Sequence, residues 1–341
     1  MLFGIKSMPR QAAIAMSLIF ASSLATAIAD PDGEPGFWSL QLENDLWGSN
    51  DDRFYTSGWQ FSYASPSPPP DYLQSIAESL PFYSTGVTGY NGFNLGQKIF
   101  TPENIGEQAL IEDDRPYAGW LYIEIFIGHR YFDHGDREKI NGLILNLGIV
   151  GPASLGEHSQ DLVHRFTGSE EPEGWDNQLE NEIGFNATYL HKRRYLFDID
   201  TPRQTELSLH SGLTLGNVYT YASMGVIMRW GTYLKDDIGP PMISPGFPGL
   251  PAFNPNRQAN WYLFAGLEGR AVARDIFLDG NTNADSHKVD KETLVGDLQF
   301  GFAVHYRDYR VAFSQMIRSR EFEDQPEHSQ YGLINFTLFA E

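Results

Sequence analysis

The stretch Glu206-Leu207-Ser208-Leu209-His210-Ser211-Gly212-Leu213-Thr214-Leu215 decides the fold class. Leu207, Leu209, Leu213 and Leu215 fall on one face of an extended chain, and Glu206, Ser208, His210, Gly212 and Thr214 on the other. A period of two marks a strand lying between an apolar and a polar environment. The same period runs from Phe54 to Tyr63, where Tyr55, Trp59, Phe61 and Tyr63 oppose Thr56, Gly58, Gln60 and Ser62. It returns from Gly119 to Ile127, where Leu121, Ile123, Ile125 and Ile127 oppose Trp120, Tyr122, Glu124 and Phe126. Twelve such segments lie near 37–45, 54–65, 91–100, 118–131, 138–149, 182–194, 203–216, 218–231, 260–273, 292–307, 309–321 and 331–339. Most run to about ten residues, the length of a tilted strand across a bilayer. An even set of them can close into a cylinder with no unpaired edge exposed to lipid.

A soluble β-sandwich alternates too, but aromatic residues crowd the strand ends here: Phe37, Trp38, Trp59, Tyr63, Trp120, Tyr131, Trp230 and Trp261. Such girdles sit at membrane interfaces. The expected fold is therefore all-β, a twelve-stranded antiparallel transmembrane β-barrel with a short helical segment in an extracellular loop. The last strand alternates Ile334, Phe336 and Leu338, but the chain ends Phe339-Ala340-Glu341 rather than on an aromatic residue. Short turns such as Gly216-Asn217 contrast with long connections at 65–90, 101–116, 151–181, 235–259 and 276–291. The usual arrangement puts short turns in the periplasm and long loops outside.

Residues 1–29 read as a secretory signal peptide. Lys6 and Arg10 precede the uncharged run Ala12 to Leu24, and Ala27-Ile28-Ala29 fits small-x-small cleavage before Asp30. Residues 30–341 then form one domain, an outer-membrane β-barrel. The 341 residues include no cysteine, so a disulfide framework and a thiol nucleophile are excluded. With 24 Lys plus Arg against 44 Asp plus Glu, the formal charge is −20, which argues against nucleic acid as a partner.

Two polar groupings break the alternation. Leu155 to Phe166 reads as a short helix in which Gln160 and His164 stand four apart, on one face. An imidazole beside an amide suits general-base chemistry, and it also suits a solvated loop histidine. Glu43-Asn44-Asp45 ends the first strand, with Thr56 inward-facing on the second. These are the hard oxygen donors that Ca²⁺ prefers, and equally the polar lining that a barrel lumen carries.

Those residues belong to a set of motifs that resembles the outer-membrane lipid A 3′-O-deacylase (LpxR) family. The set comprises Glu43-Asn44-Asp45, Asp52-Arg53-Phe54-Tyr55-Thr56-Ser57-Gly58, Gln97-Lys98-Ile99-Phe100-Thr101-Pro102 and Asp114-Arg115-Pro116-Tyr117-Ala118-Gly119-Trp120. It continues from Gly148-Ile149-Val150-Gly151-Pro152 through Gln160, His164-Arg165, Gly168 and Glu170 to Trp175-Asp176-Asn177-Gln178-Leu179-Glu180-Asn181. The resemblance implies a Ca²⁺-dependent hydrolase that releases the 3′-linked acyloxyacyl group of lipid A, with lipopolysaccharide as its partner in the outer membrane. By motif it places catalytic roles on His164, Asn44, Gln160, Thr56 and Glu170, and a metal or His-polarising role on Asp45. The family's loop lysine falls at Glu107, and Arg115 is a nearby cation. Arg115, Arg130 and Arg165 are candidate contacts to lipid phosphate, while His191-Lys192-Arg193-Arg194 reads as a strand end at the interface. The alternatives are an outer-membrane phospholipase-type esterase with a Ser–His pair, for which Ser159 is the nearby hydroxyl, and a non-enzymatic pore or structural barrel.

Overall fold

Each strand satisfies its neighbour's backbone groups, and the last satisfies the first. In the computed structural model, which describes residues 36–45, 54–67, 70–79, 88–134, 137–240 and 256–340, twelve strands pair in sequence order as a closed antiparallel barrel. They are β1 (Gly36–Asn44), β2 (Phe54–Ser65), β3 (Thr88–Thr101), β4 (Ala118–His134), β5 (Arg137–Val150) and β6 (Glu182–Phe197). Then follow β7 (Gln204–Gly216), β8 (Tyr219–Gly231), β9 (Asn256–Asp275), β10 (Leu294–Arg307), β11 (Tyr309–Arg318) and β12 (Ser329–Ala340). The seam is β1 with β12, from Gly36 opposite Ala340 to Asn44 opposite Gly332. Phe339 closes it on Phe37, ring centroids 5.1 Å apart. The expected signal peptide at 1–29 lies outside the described residues.

Alternation divides the wall as the sequence indicates. Leu207, Leu209, Leu213 and Leu215 are exposed on the outside, with Glu206, Ser208, His210 and Thr214 buried inside. Exposed leucine, phenylalanine and methionine continue around β8 to β12, a band that only lipid covers. Trp38, Trp230 and Trp261 stand on the outer surface near the rim that carries both termini, with Trp230 and Trp261 edge to face at 5.2 Å. Trp120 and Phe37 do not belong to this girdle. Both are buried in the lumen, because their strand parity matches that of Glu124 and Ser39.

The loops depart from the expected division. Both termini share one rim, so the long connections 66–87 and 232–255 are on the terminal, periplasmic side, and the tight turn after Gly216 is on the opposite, outer rim. Each long terminal-rim connection has packing of its own. Helix α1 (Asp71–Glu78) sets Leu73 against Ile127 and Leu143 of the wall. The segment after β8 instead turns into the lumen, burying Leu234, Asp237 and Ile238.

Side chains fill the lumen. Near the terminal rim, Arg194 pairs with Glu138 and Glu206, Arg229 with Glu206 and Asp237, and Arg310 with Asp237 at 3.0 Å. Arg130 pairs with Glu138, and Lys192 donates to the Ile238 carbonyl at 3.0 Å. Arg130, Lys192 and Arg194 are therefore interior at the terminal rim, and the expectation that Arg130 contacts lipid phosphate, or that 191–194 merely ends a strand at the interface, is corrected. Near the outer rim, Phe100 stacks on Phe277 at 4.0 Å and Trp120 lies 4.4 Å from Tyr122, above the Arg318–Asp297 pair at 2.8 Å.

Buried ion pairs return little net stability, but breaking one leaves an uncompensated charge. Glu206→Gln should cost about 3–5 kcal/mol in urea unfolding of the refolded barrel, because two arginines lose their common partner; Glu171→Gln, at an exposed loop position, should leave the midpoint unchanged. In planar bilayers the purified protein should show no steady conductance, since packed side chains and an inward-folded connection occupy its lumen.

Candidate active site between the wall and a loop helix

A β-bulge sets the first half of the site. The β2–β3 register shifts between Tyr55 and Ser57, so Tyr55 faces the lumen, opposite Phe100, where its hydroxyl donates to Glu43. The expected alternation put Tyr55 outside with Trp59 and Thr56 inside, and one extra residue reverses both. Thr56 instead meets Thr101 on the outer face, hydroxyl to hydroxyl at 2.6 Å. Asn44, also on the outward parity of its strand, donates from Nδ2 to the Thr56 carbonyl at 3.3 Å. Asp45 follows it and is only 1% exposed. Gln97, two turns of the pleat from Thr101 on the same outer face, accepts from Trp59 Nε1 at 3.0 Å.

Polar side chains on the lipid side of a barrel wall require cover, and the β5–β6 connection supplies it. A short turn, Pro152–Ser154, leads into helix α2 (Gly156–Thr167). Gln97 Nε2 donates to the Ser154 carbonyl at 2.7 Å, tying the turn to β3. On β4, a Cβ at Gly119 would stand 2.1 Å from Ser154 Oγ and 3.0 Å from Gly156 Cα, so only glycine permits this approach. Trp175 fills the gap with Ile99 of the wall and Tyr117, its ring centroid 5.0 Å from the tyrosine. The 102–117 loop joins in, with Glu173 N donating to the Ile105 carbonyl and Leu179 N to that of Tyr117, both at 2.9 Å.

Two α2 side chains are turned into this cover. Gln160 is 1% and His164 4% exposed, while Leu162 and Val163 between them are exposed. Gln160 Oε1 accepts from Trp175 Nε1 at 2.8 Å. His164 Nδ1 lies against the Glu170 carbonyl. A carbonyl only accepts, so Nδ1 carries the proton and Nε2 of the neutral ring is the basic atom. The helix ends as Gly168, at φ 73°, donates its N–H to the His164 carbonyl at 2.8 Å.

Asn44, Asp45, Thr56, Gln160 and His164 thus share the outer rim, linked along β3 through Thr101, Ile99 and Trp175. Glu170 is present in a different capacity from the one expected. Its backbone touches His164, whereas its exposed carboxylate lies beside Gly106 of the neighbouring loop. Arg115 is absent from the site. It is buried on the lumen side, 3.1 Å from Glu321 and against the rings of Phe100 and Phe322. Arg165 is exposed on α2, one residue past His164. Thr101, Gln97 and Trp175 were not singled out from the sequence as site residues, although polar groups at outward strand positions were a readable signal for the first two.

Among the described residues, no group of three His, Cys, Asp or Glu side chains is arranged to hold a metal ion. A cation here would draw on one carboxylate, Asp45, with neutral oxygens of Asn44 and Thr56. Such a mixed, all-oxygen set fits a hard cation of the Ca²⁺ type and not a soft one.

LpxR from Salmonella typhimurium superposes with a TM-score of 0.71 at 18% identity, covering 89% of this chain and 99% of that one. The β domain of the Bordetella autotransporter BrkA reaches 0.43 at 10% identity, covering 89% and 99%, and the transport unit of the Escherichia coli autotransporter AIDA-I 0.39 at 10%, covering 98% and 100%. No curated protein sequence matches. The profile of the family described as outer membrane protein LpxR matches residues 13–339, nearly the full length, and the chain belongs to that family of outer-membrane barrels.

Proposed function

We propose that this barrel is a lipid A 3′-O-deacylase that uses His164 to activate water. One observation carries the reading: a loop helix buries Gln160 and His164 against Trp175 at the same outer rim where Asn44, Thr56, Gln97 and Thr101 occupy the outward side of the wall. A lipid that never leaves the outer leaflet can reach such a place laterally, and the filled lumen offers no alternative route.

The chemistry follows from the tautomer. With Nδ1–H held by the Glu170 carbonyl, His164 Nε2 takes a proton from water as the water oxygen attacks the ester carbonyl carbon. The imidazolium then returns the proton to the departing 3′ oxygen as the C–O bond breaks, leaving a free hydroxyl on the sugar and a carboxylic acid on the released chain. Asn44 and Thr56 orient groups at the ester, and Asp45 supplies the local negative charge. When bound there, Ca²⁺ would supply Lewis-acid stabilisation of the developing oxyanion. No serine acyl-enzyme is needed, so a serine-reactive phosphonate should leave the activity intact; inactivation would favour the phospholipase-type alternative.

The anionic substrate meets an acidic protein, and the cations first considered for it are mostly interior. Arg165 and divalent ions bridging lipid phosphates are the contacts that support recognition in this reading.

Mass spectrometry of lipid A from cells with and without the gene should show loss of one acyloxyacyl unit when it is expressed. His164→Ala should lower the rate by about 10²–10⁴ with heat-modifiable migration retained. Glu170→Ala should lower it less than about tenfold, because the carbonyl that holds His164 survives the substitution; a loss as large as that of His164→Ala would return the carboxylate to the chemistry. Chelation of divalent cations should abolish turnover reversibly, and Asp45→Asn should raise the Ca²⁺ concentration needed for half-activity.

A further inference from the structure

We propose that Trp175 is a positioning residue that fixes the polarity of the Gln160 amide and so makes Gln160 Nε2 a hydrogen-bond donor to the ester oxygen as negative charge develops on it. The assignment rests on the deacylase reading and decides a point it leaves open, namely which end of that amide faces the substrate.

The argument begins with the indole. Its Nε1–H donates and never accepts. The Gln160 atom 2.8 Å from it must therefore be the carbonyl oxygen, whichever way an isolated amide would turn. That leaves Nε2, which is buried and has no hydrogen-bond partner among the described residues. A buried donor kept without a protein partner is the signature of a group awaiting an acceptor from outside. The indole occupies one of the two lone pairs of that oxygen and fixes its direction, so Nε2 is the end of the amide left to donate.

Trp175 is well placed to hold the amide still. Its ring packs on Tyr117 and Ile99, and a Cβ at Gly156 would stand 2.9 Å from its Cη2, so the start of α2 gives it room. Its carbonyl accepts from Gln178 Nε2 at 3.0 Å, and Asn177 N donates to Gly174 at 3.0 Å, which pins the turn on both sides. Gln160 and His164 are one helical turn apart on the buried face of α2. Base and donor can therefore address one ester group, the base its attacking water and the donor its oxygen. Donors fixed before reaction act most strongly where water is excluded, and loss of one typically costs about 10²–10³ in kcat.

The test measures acyl-chain release from purified lipid A in detergent micelles with Ca²⁺ present. Gln160→Glu retains an acceptor for the indole but has no donor; its kcat should fall about 10²–10³-fold with KM changed less than about threefold. Trp175→Phe keeps the ring packing and frees the amide to turn; its kcat should fall about tenfold, again with little change in KM. The double variant should be no slower than Gln160→Glu alone, and the limb of the pH profile set by His164 should not move in Trp175→Phe, which adds no charge. Wild-type kcat in Gln160→Glu, a Trp175→Phe defect confined to KM, or multiplicative losses in the double variant would each overturn the assignment. A wild type that releases no chain overturns the deacylase reading and this assignment with it, whereas cleavage by both wild type and Gln160→Glu at equal kcat overturns this assignment alone.

Discussion

A wall that faces lipid must bury whatever polar side chains it carries on that face. Over much of this barrel leucine, methionine, phenylalanine and valine occupy the outward positions. Around the outer ends of β1, β2 and β3 the constraint is met differently. Asn44, Thr56, Gln97 and Thr101 face outward, and the cost of leaving amides and hydroxyls against hydrocarbon is reduced by bonds among them, Asn44 to the Thr56 carbonyl and Thr56 to Thr101, and by the loop turn that takes Gln97. The glycines at 119 and 156, the tie from Gln97 to the Ser154 carbonyl and the Trp175 wedge all serve that one requirement of close cover. A sheltered polar region at the outer rim is the consequence, and the proposed chemistry of His164 would draw on that shelter.

The lumen answers the opposite problem. Inward positions are polar and, among the described residues, largely buried, so charges are matched with charges. Arg194, Arg229 and Arg310 converge on Glu206 and Asp237 near the terminal rim, and Arg270 and Arg318 on Asp297 near the outer one. Such pairing contributes specificity of register more than stability, since the partners, Asp237 in the connection after β8 excepted, sit on different strands and a slip of one residue would strand a charge. It also explains why an acidic, exported chain retains arginines in its strands: they serve the inside of the barrel.

Much of the fold was legible in the sequence because a period of two is a local property. All twelve strands were locatable, with ends displaced by a few residues. The helix carrying Gln160 and His164 was legible for the same reason, through a four-residue spacing. What stayed hidden was non-local. The bulge between Tyr55 and Ser57 inserts one residue and reverses two side chains, with no mark in the pattern that precedes it. Trp120 resembles a girdle residue by type and becomes lumenal by parity. Arg115, Arg130 and Arg194 read as strand-end cations because their partners, Glu321, Glu138 and Glu206, are identified only by the register of distant strands. Glu170 acts through its backbone, where the identity of the side chain gives no clue.

The placement of the site has a further consequence for how an anionic lipid is handled. A lumenal site would have met a field of arginines already neutralised by carboxylates, and a bulky lipid would have had to displace packed rings to enter. With the proposed site on the outer wall, the acyl chains of a lipid substrate would remain in the hydrocarbon they already occupy, and only the ester would cross into the polar cover. The energy of transferring the lipid is then small, and binding is governed by what lies at the rim. There the protein presents acids in the 102–117 and 151–181 loops, with Arg165 as an exposed cation on the helix itself. On the proposed reading, opposite charges come from the medium, so affinity for the lipid and for divalent cations should be linked: an ion bridging a lipid phosphate to a loop carboxylate would relieve their mutual repulsion, and lowering the free ion concentration would weaken binding at the rim.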